Sequence, residues 1–295
     1  VEQLKQYQAS HLQSDPMLHT TMLKGFMDGS LGSRTAALKA PYSDDPGNSG
    51  IPRYDQQKLN QMAIERAQAG FQMGFHAIGD RAVSMALDAF AAAQNAGPLR
   101  ANMKTLHVGT RKVIHATLTG QRNRIEHSQV VDPADFARYK QLGVIASMQP
   151  NHLLTDMNWA EQRLGPERSE YAYAWKSFLD AGVPLAFGTD YPVEPITPFR
   201  GLYAAVTRMN EAGTRSFHPE QKISIWQALY AYTQGPAYAE FMEQKKGRLA
   251  NGYFADFVVL DRDITAVAPP EILHTRVLRT VMNGKTVYAA GMKSK

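Results

Sequence analysis

Three observations predict an α/β fold for this chain. Short apolar runs that break into polar or charged residues recur through residues 1–245, and amphipathic stretches of helical period lie between them. Residues 246–295 instead carry short β-type pieces, so a body of strand–helix units is expected to be followed by a small β module, with the boundary near Lys245.

The expected strands are "MLKGFMDGS" (22–30), "GFQMGFHAIGD" (70–80), "RIEHSQ" (124–129), "GVIASMQP" (143–150) and "PLAFGTDYP" (184–192), each running into a loop. The first expected helix is "DQQKLNQMAIERAQAG" (55–70), with its apolar stripe at Leu59, Met62, Ala63 and Ala67. "DRAVSMALDAFAAAQNAG" (80–97) follows, striped by Val83, Ala86, Leu87 and Phe90 and closed by a glycine. "DPADFARYKQLG" (132–143) and "RSEYAYAWKSFLDAG" (168–182) read as two more helices, each leading into the next strand. This alternation argues for βα units around a parallel sheet or barrel. Near the end, Asn283 and Gly284 mark a hairpin turn between β pieces.

The composition narrows the function. Apolar residues make up 44% and charged residues 20%, which is ordinary for a soluble globular protein and leaves cytoplasmic and periplasmic locations both open. The net charge of +5 comes from 32 basic and 27 acidic residues with no basic cluster interleaved with aromatics, so nucleic-acid binding is not expected. No apolar run approaches the ~20 residues of a membrane span. With no cysteine, any metal has to be held by histidine, carboxylate or a modified lysine. Walker-type, GxGxxG and GxSxG motifs are absent, which removes phosphate-loop and serine-hydrolase readings.

In a parallel α/β unit, residues at the carboxyl ends of strands face the common active-site mouth. The residues there are Lys24 with Asp28, His76, Glu126 with His127, Gln149 with His152, and Asp190. His76 alone reads as a core histidine satisfied by backbone. Two histidines and an aspartate at matching ends of different strands instead read as ligands of a divalent cation, with His76, His127 and Asp190 as the set. Asp190 can also take a proton from a metal-activated water, or simply cap the turn before Pro192. His152 and Arg34 lie in loops, where they either meet substrate or are merely solvated. From the residues alone, Lys24 is a salt-bridging or snorkelling side chain.

The segments "KGFMDGSLGSRTAAL", "GFHAIGDRA", "RIEHSQ", "ASMQPNH", "FGTDYPVEP" and "GRLANGYFADFVVLD" closely resemble the YtcJ-like, family 3 branch of the amidohydrolase superfamily. The resemblance runs from about Lys24 to Gly291. It implies a (β/α)8 TIM barrel of amidohydrolase type with a β-sandwich. On that scheme His76 and His127 match metal histidines on the fifth and sixth strands, Asp190 the eighth-strand aspartate, and Lys24 a fourth-strand lysine able to bridge metals as its carbamate. Apart from that scheme, Asp28 and Gln149 at strand ends and Arg34 and His152 in loops are expected to contact substrate.

Two features depart from the pattern. The family's His-x-His pair of strand one is absent, and the chain opens on a helix-like stretch with no initiator methionine, so it is expected to be the C-terminal portion of a longer enzyme lacking the first strands. Residues 100–123 look like an insertion, and its His107 and His115 have no role in that scheme. The expected activity is metal-dependent hydrolysis of carbon–nitrogen bonds in amide-like or cyclic amide small molecules, with one or two divalent ions, zinc foremost. The alternatives are a catalytically incomplete fragment or non-enzymatic relative, and a metal-free barrel isomerase or lyase. A homodimer would cover the strand edge that an incomplete barrel exposes.

Overall fold

The computed structural model describes residues 1–10, 22–96, 105–108, 111–114 and 121–291. The helices of the α/β body are α1 (Glu2–Ala9), α2 (Gln56–Gln68), α3 (Asp80–Asn95), α4 (Asp135–Leu142), α5 (His152–Asp156), α6 (Ala160–Ser169), α7 (Trp175–Asp180), α8 (Pro198–Thr207) and α9 (Ile225–Ala239). The strands are β1 (Met22–Phe26), β2 (Gln72–Ala77), β3 (Thr105–Val108), β4 (Arg111–Ile114), β5 (Arg124–His127), β6 (Ile145–Met148), β7 (Leu185–Phe187), β8 (Phe257–Leu260), β9 (Val277–Met282) and β10 (Lys285–Ala289).

Local chemistry explains several boundaries. Asp55 caps α2 by accepting from the Lys58 N–H at 2.8 Å, and Ser224 and Gln227 close a reciprocal capping box at the start of α9. α3 buries Ala82, Val83, Ala86, Leu87, Ala89, Phe90 and Ala93, the face that its apolar stripe predicts. At the β2–α3 corner, a Cβ on Gly79 would sit 2.0 Å from the Ala37 carbonyl oxygen, so only glycine fits where the chain crosses the loop after β1.

Five strands pair in parallel in the order β1-β2-β5-β6-β7. Their register aligns Phe26, His76, Glu126 and Ser147 across four strands, and Lys24, Gly74 and Arg124 two residues earlier. Phe75 points the other way and stacks on Phe90 of α3 with ring centroids 4.9 Å apart, so its side of the sheet faces the helices. Side chains alternate along a strand, which puts Lys24, Phe26, His76 and Glu126 on the opposite face. All five strands run the same way and gather their carboxyl ends at one rim.

Residues 257–289 supply an antiparallel sheet of order β10-β9-β8. Asn283 and Gly284 both take positive φ, 48° and 76°, as a two-residue hairpin turn requires. Within the expected insertion, β3 and β4 pair antiparallel, whereas His115 lies outside the described residues.

The expected single helix over residues 168–182 is corrected. The chain leaves α6 at Ser169 and re-enters helix only at Trp175. Tertiary hydrogen bonds hold the intervening turn open. Tyr173 sits at φ 54°, its N–H donates to the Gln129 carbonyl at 2.7 Å, and the fully buried Arg208 donates to its carbonyl at 2.7 Å. Those contacts replace the helical ones that the local sequence favours.

Candidate metal centre

The rim of the parallel sheet brings together residues from the ends of three adjacent strands. His127 closes β5, His152 opens α5 just after β6, and Asp190 follows β7. Each offers one ligand atom, and these atoms lie within 4.8 Å of one another. His127 Nδ1 and His152 Nε2 are buried and have no hydrogen-bond partner among the described residues. The gap from His152 Nε2 to Asp190 Oδ2, 3.6 Å, is too long for a hydrogen bond.

The backbone under these ligands occupies left-handed conformations that non-glycine residues rarely adopt. His127 has φ 75°, Ser128 φ 45° and Asp190 φ 58°. Such residues cost about 1–3 kcal/mol each and persist where the surroundings over-determine them. Here Ser128 Oγ donates to the Ile125 carbonyl at 3.0 Å and meets Tyr139 Oη at 2.9 Å, and the Val193 N–H donates to the Asp190 carbonyl at 2.8 Å.

All three histidines near the rim are held neutral. Burial, reinforced by His76, His152 and Lys24 around it, lowers His127 to about 3. Burial also lowers His152, against the pull of Asp190 and Glu194, and lowers His76, against its contact with the Gly29 carbonyl. A neutral imidazole keeps a lone pair free for a cation.

The other expected site residues are placed as follows. His76 packs its ring 4.5 Å from that of His127, and its Nε2 lies 3.0 Å from the Gly29 carbonyl. A carbonyl only accepts, so Nε2 carries the proton and Nδ1 the lone pair. Lys24 is exposed on β1, with Nζ 5.2 Å from the centroid of the Phe26 ring. Asp28 is buried, and its carboxylate accepts from the backbone N–H groups of Ala37, Ile78 and Gly79 at 2.8–3.1 Å. Burial raises it to about 6. Arg34 commits its guanidinium to Asp44, at 2.9 and 3.1 Å. Gln149 lines the pocket beside His127 and His152.

That pocket is also lined by Gln129, Tyr173 and Trp175, which the sequence reasoning passed over. Gln129 ends "RIEHSQ", whereas Tyr173 and Trp175 lie in a stretch that reads as helix. Behind them lies Asp156, which accepts from Tyr173 Oη at 2.5 Å and from Gln129 Nε2 at 3.2 Å. Burial raises Asp156 to about 6 from an ordinary 3.8.

This raised value sets a direction. Between about pH 6 and 3.8 the folded state holds the Asp156 proton more tightly than the unfolded state does, so acidification through that window adds stability that is lost as pH rises through 6. Asp156→Asn cannot titrate. Its stability relative to wild type is expected to be worse at pH 4 than at pH 7.5, by on the order of 2 kcal/mol. Urea denaturation at the two pH values measures this, and a difference independent of pH would refute it.

Comparison with known proteins places the chain in a family. The profile described as "Amidohydrolase family" matches residues 1–288. The YtcJ protein of Bacillus subtilis (strain 168) is 32% identical over 277 residues, covering 93% of this chain and 48% of that protein. The N-substituted formamide deformylase of Arthrobacter pascens is 26% identical over 243 residues, 81% of this chain and 40% of the enzyme. Among solved structures, an uncharacterized metal-dependent hydrolase from Pyrococcus horikoshii OT3 superposes with a TM-score of 0.73 at 32% identity, covering 91% of this chain and 50% of that one. The chain thus spans about half the length, or less, of the curated relatives it matches. By these matches, the chain belongs to the amidohydrolase family.

Proposed function

We propose that the protein acts as a metal-dependent hydrolase of carbon–nitrogen bonds in small non-peptide amides or cyclic amides. The observation that carries this reading is the convergence of two buried, unpartnered imidazole nitrogens with the Asp190 carboxylate at one rim. An unsatisfied buried polar atom costs about 1–3 kcal/mol, and a cation between these groups relieves both at once. Two imidazoles and a carboxylate suit zinc among the common divalent ions.

His127, His152 and Asp190 would hold the ion, with His76 beside His127 as the next ligand and Lys24, as its carbamate, as a further one. When bound, such an ion polarises a carbonyl and brings the acidity of a coordinated water near neutrality. Asp190, the most open of the three with 31% of its side chain exposed, takes a proton from the attacking water and returns it to the leaving nitrogen. The neutral histidines add no competing positive charge.

The restriction to carbon–nitrogen bonds is supported by the family and by the formamide deformylase among the relatives. We take the architecture to be an arc of a (β/α)8 barrel over residues 1–245 and a β-sandwich portion over 246–295. Five parallel strands paired in sequential order, with helices on one face, fit such an arc.

Elemental analysis after zinc loading and dialysis tests the site. About one zinc per chain is expected in the wild type and much less in His127→Ala, with circular dichroism showing that the variant is folded. A wild-type protein that retains no divalent metal would overturn the reading.

A further inference from the structure

Beside the rim lies an open cleft that the proposed chemistry does not use. It holds about 600 Å³, within the range of small-molecule sites, and its lining includes Ile51, Arg53, Tyr54, Asp55, Arg81 and Met85. Arg53 joins it to the mouth of the site. Its N–H donates to the Met27 carbonyl at 2.8 Å, just past β1, and its guanidinium carbon lies 5.9 Å from the centroid of the Phe26 ring. Phe26 is half-exposed on the inner face of the sheet, with its ring 5.1 Å from that of His76. A single aromatic ring therefore stands between the Arg53 guanidinium and the histidines of the rim.

The cleft is positive and its charge is unspent. Arg53 and Arg81 are both exposed, and neither has an ion pair or a side-chain hydrogen bond among the described residues. Arg81 is the second residue of α3, where the electropositive end of the helix disfavours a cation. The lining carboxylate, Asp55, is already committed as the cap of α2, accepting from the Lys58 N–H at 2.8 Å. What the cleft offers a ligand is two guanidinium forks, whose planar geometry matches a carboxylate, beside the apolar side chains of Ile51 and Met85.

We propose that Arg53 and Arg81 bind a carboxylate on the substrate, carried on an arm several carbons away from the amide that reacts at the rim. This deepens the hydrolase reading and rests on it for the reacting end of the ligand. The Phe26 ring, lying between the two ends, supports the arm. The preferred substrates are then anionic amides with a carboxylate-terminated side arm, and neutral amides of the same length leave both guanidinium groups to solvent.

The test compares 4-acetamidobutanoate with its neutral analogue 4-acetamidobutanamide by NMR titration of full-length protein, with zinc and again with chelator, because a carboxylate also coordinates zinc. In the chelated protein the anion is expected to bind at least about fivefold more tightly, a ratio that one charge-assisted hydrogen bond supplies. Most of that margin is expected to disappear between about 0.02 and about 0.5 M salt. Arg53→Gln and Arg81→Gln are each expected to bring the two affinities within about twofold, whereas Arg215→Gln, at an exposed arginine elsewhere, leaves the ratio unchanged. With cobalt(II) in place of zinc, the acetyl methyl of the bound anion is expected to relax faster than the methylene beside its carboxylate. Equal affinities in the wild type, a ratio that survives both cleft substitutions or falls as far in Arg215→Gln, or the reverse order of relaxation overturns the proposal. Zinc uptake without anion preference sinks only this subsite, and anion preference without zinc uptake sinks only the metal centre.

Discussion

Asp190→Asn is expected to lower kcat of the zinc-loaded full-length protein by about 10²- to 10⁴-fold, with a far smaller change in KM. Asparagine keeps the shape and one oxygen of the side chain and tolerates the left-handed backbone at this position, φ 58°, so the loop after β7 is retained. It carries no charge and accepts no proton, so the step that moves a proton from water to the leaving nitrogen is lost. Steady-state kinetics on secondary amides, with metal content measured on the same preparations, checks this. Undiminished activity in Asp190→Asn would remove Asp190 from the chemistry and reopen the metal-free alternative.

The largest stability effect is expected at Arg208, which is fully buried. Its guanidinium donates to the carbonyls of Phe217 at 2.8 Å and Tyr173 at 2.7 Å, and it sits 4.4 Å from the centroid of the Trp175 ring. Burial lowers it to about 9, against the opposing pull of Glu220 and Tyr173, so at neutral pH it is still a cation, neutralised by carbonyl dipoles rather than by a contacting carboxylate. Arg208→Met fills much of the volume but leaves those carbonyls buried and unpaired. A loss of about 3–5 kcal/mol is expected, read from the midpoint of urea denaturation. Arg208→Lys is expected to recover little, because one ammonium group cannot reproduce the planar fork. A change below about 1 kcal/mol in Arg208→Met would show that water reaches the carbonyls.

The parts of this molecule that were legible in the sequence are those in which local pattern and tertiary demand agree. An apolar run such as "QMGFHA" has to be a strand buried on both sides, and Leu59, Ala63 and Ala67 fall on one face only as a helix. His127 and Asp190 were legible as site candidates because polar residues at the ends of buried strands have few other reasons to be there. The turn at Tyr173 was not legible. Its local sequence favours helix, and the contacts that overrule it come from Gln129 and Arg208, each more than thirty residues away. With that turn misread, Trp175 and Tyr173 could not be seen as pocket wall. Asp28 and Arg34 were legible as polar residues beyond the first strand, but their partners within the fold were not. The structure ties the first to three backbone N–H groups and the second to Asp44.

His127 ends β5, and His152 and Asp190 follow β6 and β7, so the described ligand cluster spans three neighbours in the sheet and draws nothing from β1. An ion held there is a cross-tie over one side of the sheet. Its binding energy would be felt as resistance to local opening between residues 124 and 190, with little passed on to the β1–β2 side. Occupancy of the site and rigidity of that half of the sheet are therefore one equilibrium: partial opening around β6 would release the ion long before the chain as a whole came apart.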